Sequence, residues 1–364
     1  MLRMARHTMA LLAAGMLLLT ACQYDGIVAD FHKESGYTDS MAISFGNGVI
    51  DNPVHTRSVT LLSEHMNTMG VWGWQTTKDG EVGCLFRNQE VTFNAALDRW
   101  TYSPERYWEV GSSYRFYAYA PHANSANGAT VSINEQTGYI SIGNVSLAGD
   151  NTMNSAAQIH PYGNFSSVND IDWMIDRTGR IVPKEQIRTR VTFNMQHILA
   201  KFNVIVIASS GVQVNGTQVV LDSITIGSFV SKGSFIQQLD HSPVNGEPSD
   251  MAVKEWTIDT LSTRYNLVST RNATIDSDGR CVIESLLLPQ DVTDSQQVTI
   301  IYSLHSTDGR AEHFAYRLGL NEAFGNFKCA NSYTLYITIG PEVITFDAGT
   351  TQWEDGDVSS EWIR

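Results

Sequence analysis

The side chains that could do chemistry in this sequence match no common catalytic or metal-binding spacing. The sequence contains no HExxH, GxSxG or Walker phosphate-binding motif, and no two of its ten histidines lie two to four residues apart. Asp170 and Asp172 form an acidic pair, which could serve a glycosidase only if another carboxylate faced it in the fold. We therefore predict no enzyme, no cofactor and no metal site; a hydrolase assembled only by the fold stays an alternative.

A second acidic run, Asp276-Ser277-Asp278-Gly279, has the look of a calcium loop. An EF-hand loop needs further oxygen ligands and a glutamate at its twelfth position, and Arg280 and Cys281 follow here instead. Because Asp before Gly tolerates the positive φ of a tight turn, the run predicts a hairpin turn.

The N-terminus has the layout of a secretory signal. Arg3 and Arg6 precede an unbroken apolar or small stretch, Met9–Leu19, whose eleven residues are fewer than the ~20 of a membrane-spanning helix. A charged start followed by a short apolar stretch is typical of a removable signal peptide. We expect residues 1–21 to be removed on export.

Cys22 has the clearest predicted chemistry. The tetrapeptide Leu19-Thr20-Ala21-Cys22 resembles the bacterial lipobox, in which the cysteine thiol receives diacylglycerol and acyl chains such as palmitate. Because several acyl chains hold a protein firmly at a membrane, we predict that Cys22 anchors the chain to outer-membrane lipid. Residues 22–40 lack periodicity and are expected to form a tether. The alternative is an ordinary signal peptide with an incidental cysteine.

Three further cysteines, Cys84, Cys281 and Cys329, show no CxxC spacing, which argues against a disulfide framework and a zinc site. Either one bridge forms after export, between Cys281 and Cys329, or the thiols stay free and buried. The chain has 24 basic and 38 acidic residues and a formal net charge of −14. Nucleic-acid binding is disfavoured, because it requires a basic surface that releases counterions from phosphates.

Most of these residues lie in segments where apolar side chains occupy alternate positions, as in β-strands. Tyr114, Phe116 and Ala118 share one face of a predicted strand, and the same period of two recurs in Val298–Leu304, Phe314–Leu318 and Tyr333–Ile339. Turn pairs such as Asp79-Gly80 and Asp308-Gly309 separate the runs. The sequence predicts an all-β protein with few short helices, near Asn151–Ile159 or Pro183–Ile187.

The length of 364 residues exceeds the ~250–300 at which single cores stop growing, and two β-sandwiches fit it. We place the boundary near residue 187, where charge and proline interrupt the apolar pattern. The expected domains are residues 41–187 and residues 188–364.

Large aromatic residues are concentrated in the first predicted sandwich. An exposed row of them would stack on sugars, whereas buried rings would fill the core, which is the interpretation we favour. Tyr117 and Tyr119 are the expected exceptions, because they lie opposite Phe116 and Ala118. The residues concerned are Trp72, Trp74, Trp100, Tyr102, Tyr107, Trp108, Tyr114, Tyr117 and Tyr119.

Several segments, taken in order, resemble one family, the Bacteroidetes fimbrillins with their FimA-like and Mfa-like pilins. The likeness runs from about residue 41 to the end of the chain and adds to the lipobox. The segments that carry it are Thr56-Arg57, Met69–Trp74, Tyr107-Trp108, Tyr114–Pro121, Val191–Phe202, Leu288–Gln290, Tyr333–Ile339, Ile344–Phe346 and Trp353–Gly356.

The resemblance implies two tandem transthyretin-like Greek-key β-sandwich domains and a fimbrial (pilus) subunit that contributes to cell adhesion. In such pilins the precursor travels as a lipoprotein to the surface of the outer membrane. A surface Arg-specific protease then removes the first strand, and the emptied groove accepts a strand from another fimbrial subunit, identical or paralogous. This is donor-strand exchange, in which main-chain hydrogen bonds join one subunit to the next.

The sequence offers residues for each step that the resemblance implies. Met41, Ile43 and Phe45 alternate and form a candidate pro-strand within residues 41–57. Arg57 and Ser58 follow a stretch with Gly46, Gly48 and Pro53, interpreted as an accessible loop, and are the candidate cleavage site. Ile344, Phe346 and Ala348 alternate and form the candidate donor strand.

Each assignment has an alternative: Arg57 as an ordinary solvated arginine, and the last strand as one paired within its own domain. The alternative function is a surface lipoprotein or tip adhesin that binds a glycan or host protein through a sandwich face.

Overall fold

The fold was analysed in a computed structural model of the 364-residue chain. It describes residues 42–50, 66–123, 128–134, 139–148, 170–176, 180–213, 216–238, 254–269 and 272–353.

Within these ranges the regular secondary structure is almost entirely β-strand, which confirms the predicted all-β class. Three short helical turns are present: the 3-10 turns Lys184–Gln186 and Leu320–Glu322 and the α-helical turn Ser210–Gln213. The first of them lies in the predicted helical stretch 183–187, whereas 151–159 falls outside the described residues. No helix in the described ranges is long and apolar enough to cross a membrane.

The strands are β1 Val49–Ile50, β2 Thr68–Thr76, β3 Val82–Asn94, β4 Arg99–Thr101, β5 Ser113–Ala120, β6 Thr130–Asn134, β7 Tyr139–Ser146, β8 Met174–Asp176, β9 Arg180–Val182, β10 Asn194–His197, β11 Ala200–Ala208, β12 Gln218–Val230, β13 Lys232–Gln238, β14 Lys254–Ile258, β15 Arg264–Ser269, β16 Ala273–Ile275, β17 Arg280–Leu287, β18 Gln290–Asp291, β19 Gln297–His305, β20 Ala311–Gly319, β21 Asn326–Phe327, β22 Asn331–Ile339 and β23 Ile344–Gln352.

Two sheets of the C-terminal part share one core. The four-stranded sheet β17-β11-β22-β23 and the sheet β15-β12-β19-β20, with β16 beside β12, contribute to a single hydrophobic cluster. Alternating residues of β11 and β22 point into it, among them Phe202, Val204, Leu335 and Ile337, each fully buried. This is the sandwich architecture, in which the inner faces of two sheets interdigitate.

The N-terminal part is built on an eight-stranded sheet with the order β1-β10-β8-β5-β2-β3-β4, and β9 pairs with β5. One face of it shares a core with the four-stranded sheet β14-β13-β7-β6. That core holds Trp72, Trp74 and Tyr119 of the larger sheet and Ile142 and Phe235 of the smaller one.

Strand pairing crosses the predicted domain boundary near residue 187. Asn194–His197 lies after that boundary but pairs with β8 in the N-terminal sheet. Strand β13, later still, pairs with β7 and so completes the second sheet of the N-terminal part. Strand β9, just before the predicted boundary, pairs with β5.

The predicted strand faces are found, with one difference at an edge. Val298 and Ile300 of β19 and Tyr333 of β22 are buried as the alternation predicts. Phe314 and Tyr316 of β20 are 38% and 45% exposed, because β20 is an edge strand and has a neighbour on only one side.

Candidate functional site

The N-terminal segment, residues 42–50, lies as an extended strand between two other stretches of backbone. On one side Ala42 forms an antiparallel bridge with Tyr107, and the Ile43 N–H donates to the Arg106 carbonyl at 2.7 Å. On the other side Phe45 forms a parallel bridge with Val191. We call the space between residues 102–107 and residues 191–195 the slot.

The ladder on the Val191 side is regular. The Val191 N–H donates to the Ser44 carbonyl, and the Gly46 N–H donates to the Val191 carbonyl, each at 2.9 Å. The segment then enters β1, where Val49 and Ile50 pair in parallel with Asn194 and Met195 at the edge of the sheet. Residues 42–46 are thus flanked by backbone on both sides, and β1 is the outermost strand of the N-terminal sheet.

Ile43 and Phe45 supply the buried side chains of the segment, at 2% and 3% exposure. The Tyr102 hydroxyl donates to the Ile43 carbonyl at 2.7 Å and ties this strand to the slot wall. The Phe45 ring fills an aromatic pocket formed by Phe86, Tyr102, Phe116 and Phe193, whose ring centroids lie 5.6, 5.5, 6.1 and 5.9 Å away.

Gly46 and Gly48 are buried in the slot, whereas the sequence interpretation placed them in an accessible loop. A Cβ atom at Gly48 would lie 2.9 Å from the Phe193 carbonyl oxygen, which belongs to the backbone and has little freedom to move. A Cβ at Gly46 would meet the Thr192 Cγ2 methyl at 2.6 Å. Gly48 thus permits close approach of two backbones, which glycine signals in a sequence as readily as a loop.

The structure places only part of the predicted pro-strand and cleavage site. Ile43 and Phe45 are brought together in the slot. Cys22, Met41, Arg57 and Ser58 lie outside the described residues.

The C-terminal strand β23 forms an edge of its own sheet. It pairs antiparallel with β22 through nine residue pairs from Ile339–Ile344 to Asn331–Gln352. Ile344 and Phe346 are half-buried, Phe346 stacks on Tyr316 with a centroid distance of 5.4 Å, and Ala348 is exposed. The last strand is therefore paired within its own sheet and open on its other edge.

Trp353, directly after β23, packs against the N-terminal sheet. The Trp353 ring lies parallel to the His197 imidazole, with 3.8 Å between ring centroids. The Trp353 backbone N–H donates to the Ala330 carbonyl at 3.0 Å. His197 Nδ1 lies 3.1 and 3.0 Å from the two carboxylate oxygens of Asp172, and all three side chains are buried. Nothing in the spacing of these residues along the chain signals this contact.

The two tyrosines expected to be exposed are buried, so that prediction is wrong. Tyr117 is 4% exposed and Tyr119 is 0% exposed. Both faces of β5 are covered, which the alternation along one strand could not reveal. Desolvation by burial raises the pKa of each hydroxyl to about 12. The preferred interpretation of the aromatic cluster, rings filling a core, is confirmed for Trp72, Trp74 and Trp100.

The remaining candidate groups have structural partners. The buried Asp170 carboxylate accepts from the Ala148 N–H at 2.5 Å, and Asp172 faces His197. The run ending at Gly279 is the predicted turn, with φ +81° at that glycine. Within the described ranges no cluster of three or more His, Cys, Asp or Glu side chains could hold a metal.

No disulfide joins Cys84, Cys281 or Cys329 to one another, so the bridge between Cys281 and Cys329 is not formed. Burial raises the pKa of the Cys281 thiol to about 12, which keeps it protonated and unreactive. Near it, the buried Lys201 Nζ lies 2.8 Å from a Glu284 carboxylate oxygen. Nothing in the spacing of Lys201 and Glu284 signals this ion pair.

The fold and the slot together define an all-β sandwich protein whose N-terminal segment lies in a groove between two other segments. The model of the fimbrillin-like family matches residues 56–353. This chain therefore belongs to the fimbrillin-like family, as its sequence motifs indicated.

Comparison with solved structures finds proteins from Bacteroides species. A fimbrial protein from Bacteroides vulgatus superposes with a TM-score of 0.58 at 15% identity, covering 86% of this chain and 99% of that one. A candidate cell adhesion protein from Bacteroides uniformis aligns at 16% identity with a TM-score of 0.45, covering 86% and 99%. No curated protein matches the chain.

Proposed function

We propose that this protein is a structural subunit of a surface fimbrium, which polymerises when its own N-terminal strand is cut away and replaced by a strand of a neighbouring subunit. The observation that carries this proposal is the position of residues 42–50. They fill a groove of the main body, with Ile43 and Phe45 buried, and they precede the candidate cleavage site at Arg57. Membership of the fimbrillin-like family supports it.

Export as a lipoprotein is the first step of this function. Cys22 would carry the lipid and hold the precursor at the outer membrane, with residues 22–40 as a tether. The support is the sequence Leu19-Thr20-Ala21-Cys22 behind a short apolar stretch.

Cleavage between Arg57 and Ser58 by a surface Arg-specific protease is the second step. The cut would break the covalent link between the strand in the slot and the main body. Before the cut, the strand is intramolecular and has a very high effective concentration at its own groove.

After the cut the strand would be held by its contacts alone. Burial of Ile43 and Phe45 contributes about 1.5–3 kcal/mol each, and each hydrogen bond adds about 0.5–1.5 kcal/mol. Holding a separate peptide in place costs about 4–15 kcal/mol of lost translational and rotational freedom. These opposing magnitudes are similar, so a cut strand can be displaced by another that offers equivalent side chains.

The candidate replacement is the C-terminal strand of another copy, with Ile344, Phe346 and Ala348. Its support is that β23 is an edge strand whose apolar side chains are only half-buried at home. A strand with unpaired backbone groups along one edge is suited to joining another sheet.

The test compares the native protein with Arg57→Ala and Arg57→Lys variants on the cell surface. Intact mass spectrometry of the native protein should give chains that begin at Ser58, and electrophoresis without boiling should give ladders. Both variants should keep acylated Cys22 as first residue and run as monomers; the lysine variant keeps the charge and removes only the arginine specificity. Ladders of normal length from both variants would refute the proposal.

The alternative of a glycan-binding or protein-binding lipoprotein loses most of the residues on which it was based, although Tyr107 is 58% exposed. Trp72, Trp74, Tyr117 and Tyr119 face the interior and are all less than 10% exposed. Flat rings can stack on sugars only where they are open to solvent.

A further inference from the structure

The strand in the slot and the C-terminal strand share a sequence pattern. Residues 43–48 read Ile-Ser-Phe-Gly-Asn-Gly, and residues 344–349 read Ile-Thr-Phe-Asp-Ala-Gly. Three of the six positions are identical, and serine is replaced by the similar threonine. The two segments therefore offer the same apolar residues at the same spacing.

We infer that strand exchange between copies has one register, in which Ile344, Phe346 and Gly349 of one copy take the places of Ile43, Phe45 and Gly48 in the next. This inference rests on the proposed function and names the partner residues of the same slot. It also sets the direction of the incoming strand, parallel to residues 191–195 and antiparallel to residues 102–107.

The aromatic pocket is the first argument for this register. Phe346 at the position of Phe45 would be surrounded by the same four rings, whereas in its own sheet it stacks on Tyr316, packs at the margin of the core and is half-buried. Ile344 likewise moves from a half-buried edge to a position that is 2% exposed when Ile43 occupies it. Burial of both side chains favours the exchanged state.

The glycine is the second and sharper argument, because it discriminates between registers. At the place of Gly48 a Cβ atom would lie 2.9 Å from the Phe193 carbonyl oxygen, so only glycine fits there. A shift of two residues, which keeps the same faces inward, would put Asp347 or Thr351 there. The unshifted register alone brings Gly349 to this point.

Charge is the third argument. In this register Asp347 takes the place of Gly46, where a Cβ lies 3.7 Å from the Arg190 Cβ and 2.6 Å from the Thr192 Cγ2 methyl. Arg190 and Thr192 are exposed, so the methyl can turn aside and the carboxylate can reach solvent beside the guanidinium. An exposed ion pair between Asp347 and Arg190 adds little stability, but Arg190 disfavours a strand that brings a basic residue to this position.

Exchange requires the β22–β23 ladder to open over its nine residue pairs. Every hydrogen bond lost between β22 and β23 must be replaced in the slot, so strand exchange is slow even where its free-energy change is favourable. The precursor therefore stays monomeric as long as its own segment fills the slot.

The decisive experiment traps the register with an intermolecular disulfide in the full-length chain. A Cβ at position 46 lies 3.9 Å from the Thr192 Cβ, within the ~3.5–4.5 Å that a disulfide requires. Asp347→Cys combined with Thr192→Cys should link copies after treatment with an Arg-specific protease, giving covalent ladders on boiled, non-reducing gels. The matched control, Thr345→Cys with Thr192→Cys, reports a two-residue shift and should stay unlinked, as should each single variant.

A second variant tests the glycine without crosslinking. At home a Cβ on Gly349 meets the Tyr336 ring at 3.4 Å, an ordinary contact, so Gly349→Ala should fold with an unchanged melting temperature. In the slot the same methyl group meets the Phe193 carbonyl, and ladders should form at least tenfold more slowly than with Thr350→Ala.

The outcomes separate the two proposals. If the unmodified protein forms no ladders after cleavage, strand exchange itself fails and the register fails with it. If the unmodified protein forms ladders and the Thr345→Cys pair is the one that links, or Gly349→Ala polymerises normally, the register is wrong while strand exchange stands.

Discussion

Phe45 is the single residue on which the hold of the N-terminal segment most depends, because its ring contacts four other aromatic rings in the pocket. Truncating a buried phenylalanine removes about 3–5 kcal/mol where the cavity cannot collapse. Here the loss of stability cannot exceed the free energy that holds the segment in the slot, because the whole segment can leave the slot.

We therefore expect Phe45→Ala to release the cut N-terminal peptide at least tenfold faster than the unmodified protein does. The measurement is size-exclusion chromatography with mass spectrometry after protease treatment. Ser44→Ala is the control, because the Ser44 carbonyl keeps its bond to the Val191 N–H. Equal retention of both peptides would show that Phe45 does not govern docking.

Gly70 lies directly beneath the Tyr119 ring, where a Cβ would come within 2.2 Å of that ring. Gly70→Ala should overpack the core and lower the free energy of unfolding by about 1–3 kcal/mol or more. Gly83→Ala on the neighbouring strand has nothing within 4 Å and should leave stability nearly unchanged. Urea unfolding of the two variants makes the comparison, and equal midpoints would contradict the packing argument.

Tyr117 and Tyr119 predict a loss of stability at alkaline pH. Their folded-state pKa of about 12 lies above the ordinary 10.0, so between these values the folded state keeps protons that the unfolded chain loses. Their contribution is complete below pH ~10 and declines as the pH rises toward ~12, by up to about 1.4 kcal/mol per pH unit for each tyrosine. Urea midpoints across this window should fall, and Tyr117→Phe should make the fall less steep; a flat profile would contradict this.

At the scale of elements, β23 is held at its end by Trp353, whose ring stacks on His197 in the N-terminal sheet. Opening β23 must first break this contact. Trp353→Ala should therefore speed hydrogen exchange of the amides in 344–352 and, after cleavage, ladder formation, by several-fold. Gln352→Ala, at an exposed position, is the control. Unchanged exchange in the Trp353 variant would show that the contact does not restrain the strand.

Strand positions followed from the sequence, but their partners did not. Alternation identified β5, β19, β20 and β22, because each has a side facing a core. The burial of Tyr117 could not be predicted, since it depends on a layer that covers the second face of β5. Gly48 was interpreted as part of a loop, because sequence alone does not distinguish a glycine that allows close backbone approach from a glycine in a turn.

The pairing of β7 with β13 was beyond sequence reasoning for a related reason. Period and turn chemistry are local, whereas this contact joins Tyr139–Ser146 to Lys232–Gln238 across the expected boundary. The alternation of Ile43 and Phe45 predicted a strand, and the family resemblance implied that this strand fills a groove. Its walls, Tyr102 and Val191, carry no local signal of their role.

At the scale of the whole molecule, the shared sheet predicts that the N-terminal part is not independent. A fragment of residues 42–187 lacks β10, β13 and β14 and leaves β7 with only β6 beside it. We expect it to show no cooperative unfolding transition by circular dichroism, while residues 42–364 should show one. A sharp transition from the fragment would contradict the pairing as a requirement for folding.

The β7–β13 pairing also has a consequence for the order in which the chain can acquire its shape. A ribosome makes β7 well before β13, and an early hairpin of β6 and β7 alone is marginal in water. Strands β6 and β7 thus have to wait for β13, and that delay keeps this part of the chain unfolded for longer, the state in which a polypeptide passes through a narrow translocation channel.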